Sequence, residues 1–302
     1  MAASFASIVR AALDRIPPSC PPWGRGWSAA AACILEATAP KPGNVHPAAG
    51  FPDLVHDDLV DAALAIAPVM ERAAGVALGR TIREAVEAAR SVTRSNANLG
   101  MVLAIAPLAA VPGTGQPLPD AVAGVLAGLG PADAADIWAA IGRARPGGLG
   151  TTDRHDIAGP PPADILDAMR LAAPRDRIAA LWIDGYGRLL SGLVTDLAAE
   201  ITGESDIAAG IVRAFVRELA REPDSLIGRR HGPDVAAGVS ARAAAVLAAG
   251  GRWRDAAAAF DRSLRQPVRV NPGTTADLVA AALYILLRDP TRRRIFASLH
   301  TP

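Results

Sequence analysis

Apolar residues recur at three- and four-residue spacing along most of the chain. That is the period of a helix face. The pattern predicts helices over 27–38, 57–73, 81–93, 99–110, 132–143, 175–201, 206–221, 234–249 and 275–287, with an amphipathic start over 1–16. Many of these segments begin after Asp, Ser, Thr or Pro, which are N-terminal helix signals. Proline and glycine cluster between them, at 17–26, 40–52, 112–119, 145–162 and 266–273. Pro68 and Pro107 fall inside predicted helices and should kink or end them. Strand-like alternation is confined to 267–270, which is too short to count. The expectation is an all-α protein: a single helical domain with an active-site cleft built from inter-helix loops. Residues 1–26 read as an N-terminal helix and Pro-rich linker, and 27–302 as the all-helical catalytic domain.

Composition narrows the class. Hydrophobic residues make up 51% and charged residues 20%, which excludes a disordered chain. A formal net charge of +1 excludes a chain-wide nucleic-acid footprint. Two cysteines, Cys20 and Cys33, cannot build a disulfide framework or a four-thiolate zinc site. Arg10, Asp14 and Arg15 interrupt the N-terminal apolar residues, unlike a secretory signal. The apolar run at 99–111 falls well short of the roughly 20 residues a bilayer requires. A cytoplasmic protein with no nucleic-acid or membrane partner is expected. Its Ala-rich helix faces are compatible with a homodimer.

Residue usage carries a sharper clue. The chain is rich in Ala and Arg, yet Lys41 is its only lysine, and Asn44, Asn96, Asn98 and Asn271 are its only asparagines. These five survivors fall in three of four loop-like constellations. The first runs from Glu36 through Pro40-Lys41-Pro42-Gly43-Asn44 to His46, followed by Asp53. A stiffened turn there could present a cation to phosphate and a carboxylate to a metal or hydroxyl. The bland alternative is a helix C-cap. The second, Ser95-Asn96-Ala97-Asn98-Leu99-Gly100, opens an apolar helix, whose N-terminus attracts anions; capping alone is the alternative. The third, Pro223-Asp224-Ser225 to Arg229-Arg230-His231, offers paired guanidinium groups suited to a triphosphate. The fourth, Asn271-Pro272-Gly273-Thr274-Thr275-Ala276-Asp277, reads as a turn into a helix, with Thr274 or Thr275 as cap. Asp57, Asp58 and Asp61 form either a charged helix start or a group with Asp53 around Mg²⁺.

In this order the four constellations resemble the triphosphoribosyl-dephospho-CoA synthase family over about 27–287, and the Asp153-Arg154-His155-Asp156 loop fits as well. The resemblance implies an all-helical, ATP-dependent triphosphoribosyl transferase. Such an enzyme displaces adenine from ATP and joins the triphosphoribose to the 2′-hydroxyl of 3′-dephospho-CoA, making the prosthetic-group precursor of an acyl carrier protein. On this reading Lys41 and Arg230, helped by Arg229, contact phosphate. Glu36, Asp53 and Asp277 hold Mg²⁺ or act as general base, Asp53 foremost. Asn44, Asn96 and Asn98, with Ser95 and His46, orient ribose, phosphate or adenine. The chain departs from members of citrate lyase assembly at Pro52, where they carry a histidine, and at Leu99, where they carry a lysine. Two alternatives therefore stay open: another ATP-dependent enzyme of cofactor biosynthesis, such as the one-carbon carrier pathways, or a non-catalytic helical binding protein.

Overall fold

Strong helix formers broken by proline and glycine give fifteen α-helices among the described residues of the computed structural model, which are 3–93, 95, 97–113, 116–144, 147–148, 152–204 and 206–299. The chain runs through α1 (Phe5–Leu13), α2 (Arg25–Thr38), α3 (His56–Glu71), α4 (Leu78–Val92), α5 (Leu99–Ala110), α6 (Leu118–Ala127) and α7 (Pro131–Ala144). It continues through α8 (Ile165–Ala172), α9 (Arg177–Ile183), α10 (Val194–Gly203), α11 (Ile207–Arg221) and α12 (Ser225–His231). The last are α13 (Pro233–Ala248), α14 (Trp253–Arg265) and α15 (Gly273–Arg288). No strand occurs among the described residues. None of these helices is long and apolar enough to cross a membrane.

A helix that is apolar all round must sit inside. In α2 every residue except Arg25 is buried; in α5 all but Gly100 and Ala110; in α15 all but Gly273, Asp277 and Arg288. These three helices pack on one another and form the centre. α3, α4 and α7 layer outward from α2, while α10, α11, α13 and α14 layer outward from α15. Each large side chain fully buried here, such as Ile34, Ile66, Ile105 or Leu283, contributes about 1.5–3 kcal/mol. A second, smaller apolar cluster of Ala37, Val45, Phe51 and Leu59, flanked by Leu54 and Ala97, lies apart from this core.

Both internal prolines sit three residues from a helix end, and both helices stop there. Pro107 has no N–H to give the Leu103 carbonyl four residues back. The buried indole of Trp182 donates to that carbonyl instead, at 2.9 Å, and the Tyr186 hydroxyl donates to Ala104 at 2.8 Å. The helix break therefore ties α5 to the turn after α9.

The expected helix over 175–201 is in fact three pieces: α9, a turn at Asp184–Gly187, and a π-helical turn at Leu189–Leu193 leading into α10. Glycines at 185 and 187 make the break. α6, α8, α12 and α14 were not expected; all four are short or carry few large apolar residues. α1 buries Val9, Ala12 and Leu13 in the same core as the rest of the chain.

Candidate functional site

Helix ends and loops supply the polar side of the site. The loop after α2, the N-termini of α5 and α15, the last turn of α12 and the flanks of α7 and α8 surround one cleft of about 510 Å³. Glu36, Asn44, Asp53, Ser95, Asn98, Arg229, Arg230 and Asp277 all line it. Lys41 and His46 do not. Asn96 lies outside the described residues.

The single lysine is a structural pin. Its side chain is 0% exposed, and Nζ lies 2.9 Å from Glu36 Oε1. Nζ also donates to the backbone carbonyls of Ala39, at 3.1 Å, and Glu36. An ammonium has three protons, and all three are spent on the last turn of α2, leaving none for phosphate. The expected phosphate contact is corrected accordingly. Burial pushes Glu36 up and Lys41 down, each shift opposed by the partner's charge. The turn itself is fixed by Gly43, whose φ of +79° suits glycine and whose N–H donates to Asp261 at 2.8 Å. His46 stays off the cleft wall, and burial plus the Arg265 guanidinium push its pKa down to about 4.

Asp53, the expected base, is engaged by an arginine. Its side chain is 70% exposed and accepts from Arg269 Nη1 at 2.8 Å, which holds its carboxyl below the usual range. Arg269 also lies 4.3 Å from the centre of the Phe51 ring, so Asp53 and Phe51 together aim a guanidinium at the cleft. The Ser95 hydroxyl is spent on the Asp53 carbonyl.

Asp277 is different. No hydrogen bond or ion pair reaches its carboxyl among the described residues. Burial, then the negative charges of Glu36, Asp224 and Asp176, hold that carboxyl well above the carboxylate range, with Arg229 opposing. It lies so close to α5 that a Cβ on Gly100 would be 1.9 Å from Oδ2. The metal set expected from Glu36, Asp53 and Asp277 does not assemble. Lys41 neutralises Glu36 and Arg269 neutralises Asp53. No group of three or more His, Cys, Asp or Glu side chains is arranged to hold a metal among the described residues. Asp61 pairs with Arg15, and Asp58 accepts from the Val55 N–H, so neither joins Asp53.

Five arginines, at 154, 175, 229, 230 and 269, face the cleft. Arg229 is held by Asp176 at 2.6 Å, and its Nε is buried without a partner among the described residues. Arg230 is exposed and its guanidinium has no hydrogen-bond partner among the described residues, which suits it to a ligand.

The asparagines converge. Asn44 donates through Nδ2 to Asn271 Oδ1 at 2.6 Å. Asn98 occupies the N-cap of α5, yet its side chain caps nothing. Asn44 Oδ1 and Asn98 Nδ2 are both buried and unpartnered among the described residues. Three of the chain's four asparagines thus line one cavity.

Sequence reasoning missed Asp224. Its Oδ1 caps α12 at Leu226 N and Ile227 N, and its Oδ2 accepts from the N–H and hydroxyl of Thr275 at 2.7 and 2.8 Å. The cap of α15 therefore comes from another element rather than from Thr274 or Thr275. An Asp before a helix is a legible cap; its second job across the fold is not. Arg269 had no local signal, and Asn271 had only its rarity.

Fold and cleft together define a helical protein whose loop-built cavity sets five arginines around a half-buried carboxylate. The chain belongs to the CitG family, described as ATP:dephospho-CoA triphosphoribosyl transferase, which matches residues 23–295. In fold it is similar to the crystal structure of a "putative triphosphoribosyl-dephospho-coA synthase from Archaeoglobus fulgidus", with a TM-score of 0.59 and 21% identity, over 75% of this chain and 96% of that one. Among curated proteins none matches the chain.

Proposed function

We propose that this protein transfers triphosphoribose from ATP to a hydroxyl of 3′-dephospho-CoA or a related acceptor, releasing adenine. The observation that carries the reading is a cleft, in a member of this family, that sets several guanidinium groups beside one half-buried carboxylate without a hydrogen bond or ion pair among the described residues. The reaction breaks the bond between the ribose anomeric carbon and the base, and its transition state is oxocarbenium-like, as in glycoside hydrolysis. Arg230, Arg229 and Arg269 hold the triphosphate. Asp277 takes the acceptor's proton as its oxygen bonds to the anomeric carbon. A carboxyl whose proton affinity is raised is a stronger acceptor near neutral pH than an ordinary one. Burial raises Asp277 most, with the nearby Glu36 carboxylate adding to it, and Lys41 keeps Glu36 in place. Magnesium enters as the counter-ion of the triphosphate rather than in a protein cage. Positioning and charge neutralisation supply most of the rate.

The test is mass spectrometry of products after incubation with MgATP and dephospho-CoA. Free adenine and a triphosphoribosyl adduct are expected. ADP or AMP instead would favour a kinase or ligase of cofactor assembly. Absence of any nucleotide turnover or binding would favour a scaffold, a reading already weakened by the convergence of separate motifs on one cavity.

A further inference from the structure

The arginines and Asp277 account for phosphate and proton transfer, but not for the two amide atoms that lack a partner among the described residues. Asn44 and Asn98 are each 5% exposed and line the cleft. Native proteins rarely leave such atoms without partners unless a ligand or water completes them. The two positions have opposite needs. Asn44 gives one N–H to Asn271 and offers a bare carbonyl oxygen; Asn98 offers an N–H₂. Both amides are uncharged, so they suit a neutral group that carries a donor next to an acceptor.

Their neighbours describe the shape of that group. Val45 follows Asn44 and Ala97 precedes Asn98, and both belong to the small apolar cluster with Phe51, Leu54 and Leu59. All five residues also line the cleft. Ala97 packs against the main core as well, and the cluster forms an apolar wall of the cavity. An apolar slot bordered by one acceptor and one donor fits a flat nitrogen heterocycle. The 6-amino group and adjacent ring nitrogen of adenine present that pattern.

We infer that Asn44 and Asn98 form the slot for the leaving base and select a 6-aminopurine. This rests on the proposed use of ATP and names the part of ATP that the slot reads. Asn44 Oδ1 accepts from the 6-amino group, and Asn98 Nδ2 donates to a ring nitrogen. The rigidity of the slot has visible sources: Arg265 Nη2 donates to the Asn44 carbonyl at 2.6 Å, and Asn98 is fixed at the start of α5. A 6-oxopurine would set its oxygen against the Asn44 oxygen, with no proton between them.

The test is calorimetric titration of the full chain with ATP, ITP and inorganic tripolyphosphate. The wild type is expected to bind ATP at least about tenfold more tightly than ITP. Asn98→Ala is expected to weaken ATP about tenfold while leaving tripolyphosphate unchanged. Equal affinity of the wild type for ATP and ITP would overturn base selection, and that measurement needs no variant to fold. Parallel loss of ATP and tripolyphosphate binding in the variant would move Asn98 to the phosphates and overturn its assignment. Tripolyphosphate binding without any ATP preference would sink the slot but spare the anion site. No binding of either would remove the proposed function itself.

Discussion

A lysine sealed from water keeps its charge only while a carboxylate lies against it. Lys41 and Glu36 are each other's sole ionic partners among the described residues, so Lys41→Ala should strand a buried carboxylate and cost about 3–5 kcal/mol in denaturant unfolding. The double change Lys41→Met with Glu36→Gln removes both charges and should recover most of that loss. An alanine variant with unchanged stability but a raised KM for ATP would restore the phosphate role to Lys41. Arg230 is the reverse case, exposed and without a hydrogen-bond partner among the described residues. Arg230→Ala should raise KM for ATP roughly 10- to 100-fold with little change in melting temperature, as a charge-assisted contact to phosphate is lost. Arg230→Lys should not fully rescue, because an ammonium cannot form the fork. Asp277 must be ionised to take a proton. Its raised pKa therefore places the rising limb of kcat/KM above the ordinary carboxylate midpoint of about 4. The same shift has a stability sign. The contribution is full below the unfolded pKa and is lost as pH rises through the raised folded pKa. Asp277→Asn should therefore abolish transfer yet stabilise the fold at neutral pH. A variant that is both inactive and less stable would deny Asp277 its buried charge.

Elements deliver these side chains by their ends. Asp224 clips the start of α12 to the start of α15 through four accepted hydrogen bonds. Asp224→Ala removes a cap and strands buried donors, and should cost roughly 2–4 kcal/mol. Gly100 sets the spacing between α5 and α15. Gly100→Ala must push Asp277 aside, and should lower kcat about 100-fold while circular dichroism stays helical. Wild-type kcat in that variant would show that the Asp277 position is not critical. The same elements show where the sequence is legible. Periodicity alone places α5 at its observed bounds, and α2, α3, α11 and α13 within two residues, because each carries a long apolar stripe. It fails at α12, seven residues whose packing is decided by Asp224 and Thr275 rather than by a stripe. Site residues follow the same division. Asn44, Asn98 and Arg230 are legible as rare or paired polar residues in loops. The inward turn of Lys41 and the pairing of Asp53 with Arg269 are not, because both depend on partners or burial set by the tertiary fold, Arg269 lying 216 residues from Asp53.

On the scale of the whole molecule, the N-terminal segment is joined to the C-terminal one at a distance from the cleft. Val9, Ala12, Leu13 and Ile16 are buried in the common core, and α1 packs on α2. The linker is anchored as well: the rings of Trp23 and Trp27 lie 4.8 Å apart, Arg288 donates to the Trp23 carbonyl, and the Arg293 guanidinium sits 5.2 Å from the Trp23 ring. No residue before α2 lines the cleft. Removing residues 1–16 takes away three large buried side chains at about 1.5–3 kcal/mol each, an upper bound on the real loss because unfolded chains already bury some apolar surface. The truncated chain should therefore melt well below the full one. Its kcat per folded molecule should hold at a temperature where both are folded, since the α2 C-terminus, α5, α12 and α15 are untouched. Thermal scans paired with adenine-release rates separate the two effects. An unchanged melting temperature would mean that α1 adds nothing to the core. A fall in kcat at full foldedness would mean that the N-terminal helix reaches the site through α2, whose last turn carries Glu36 and whose carbonyls Lys41 holds.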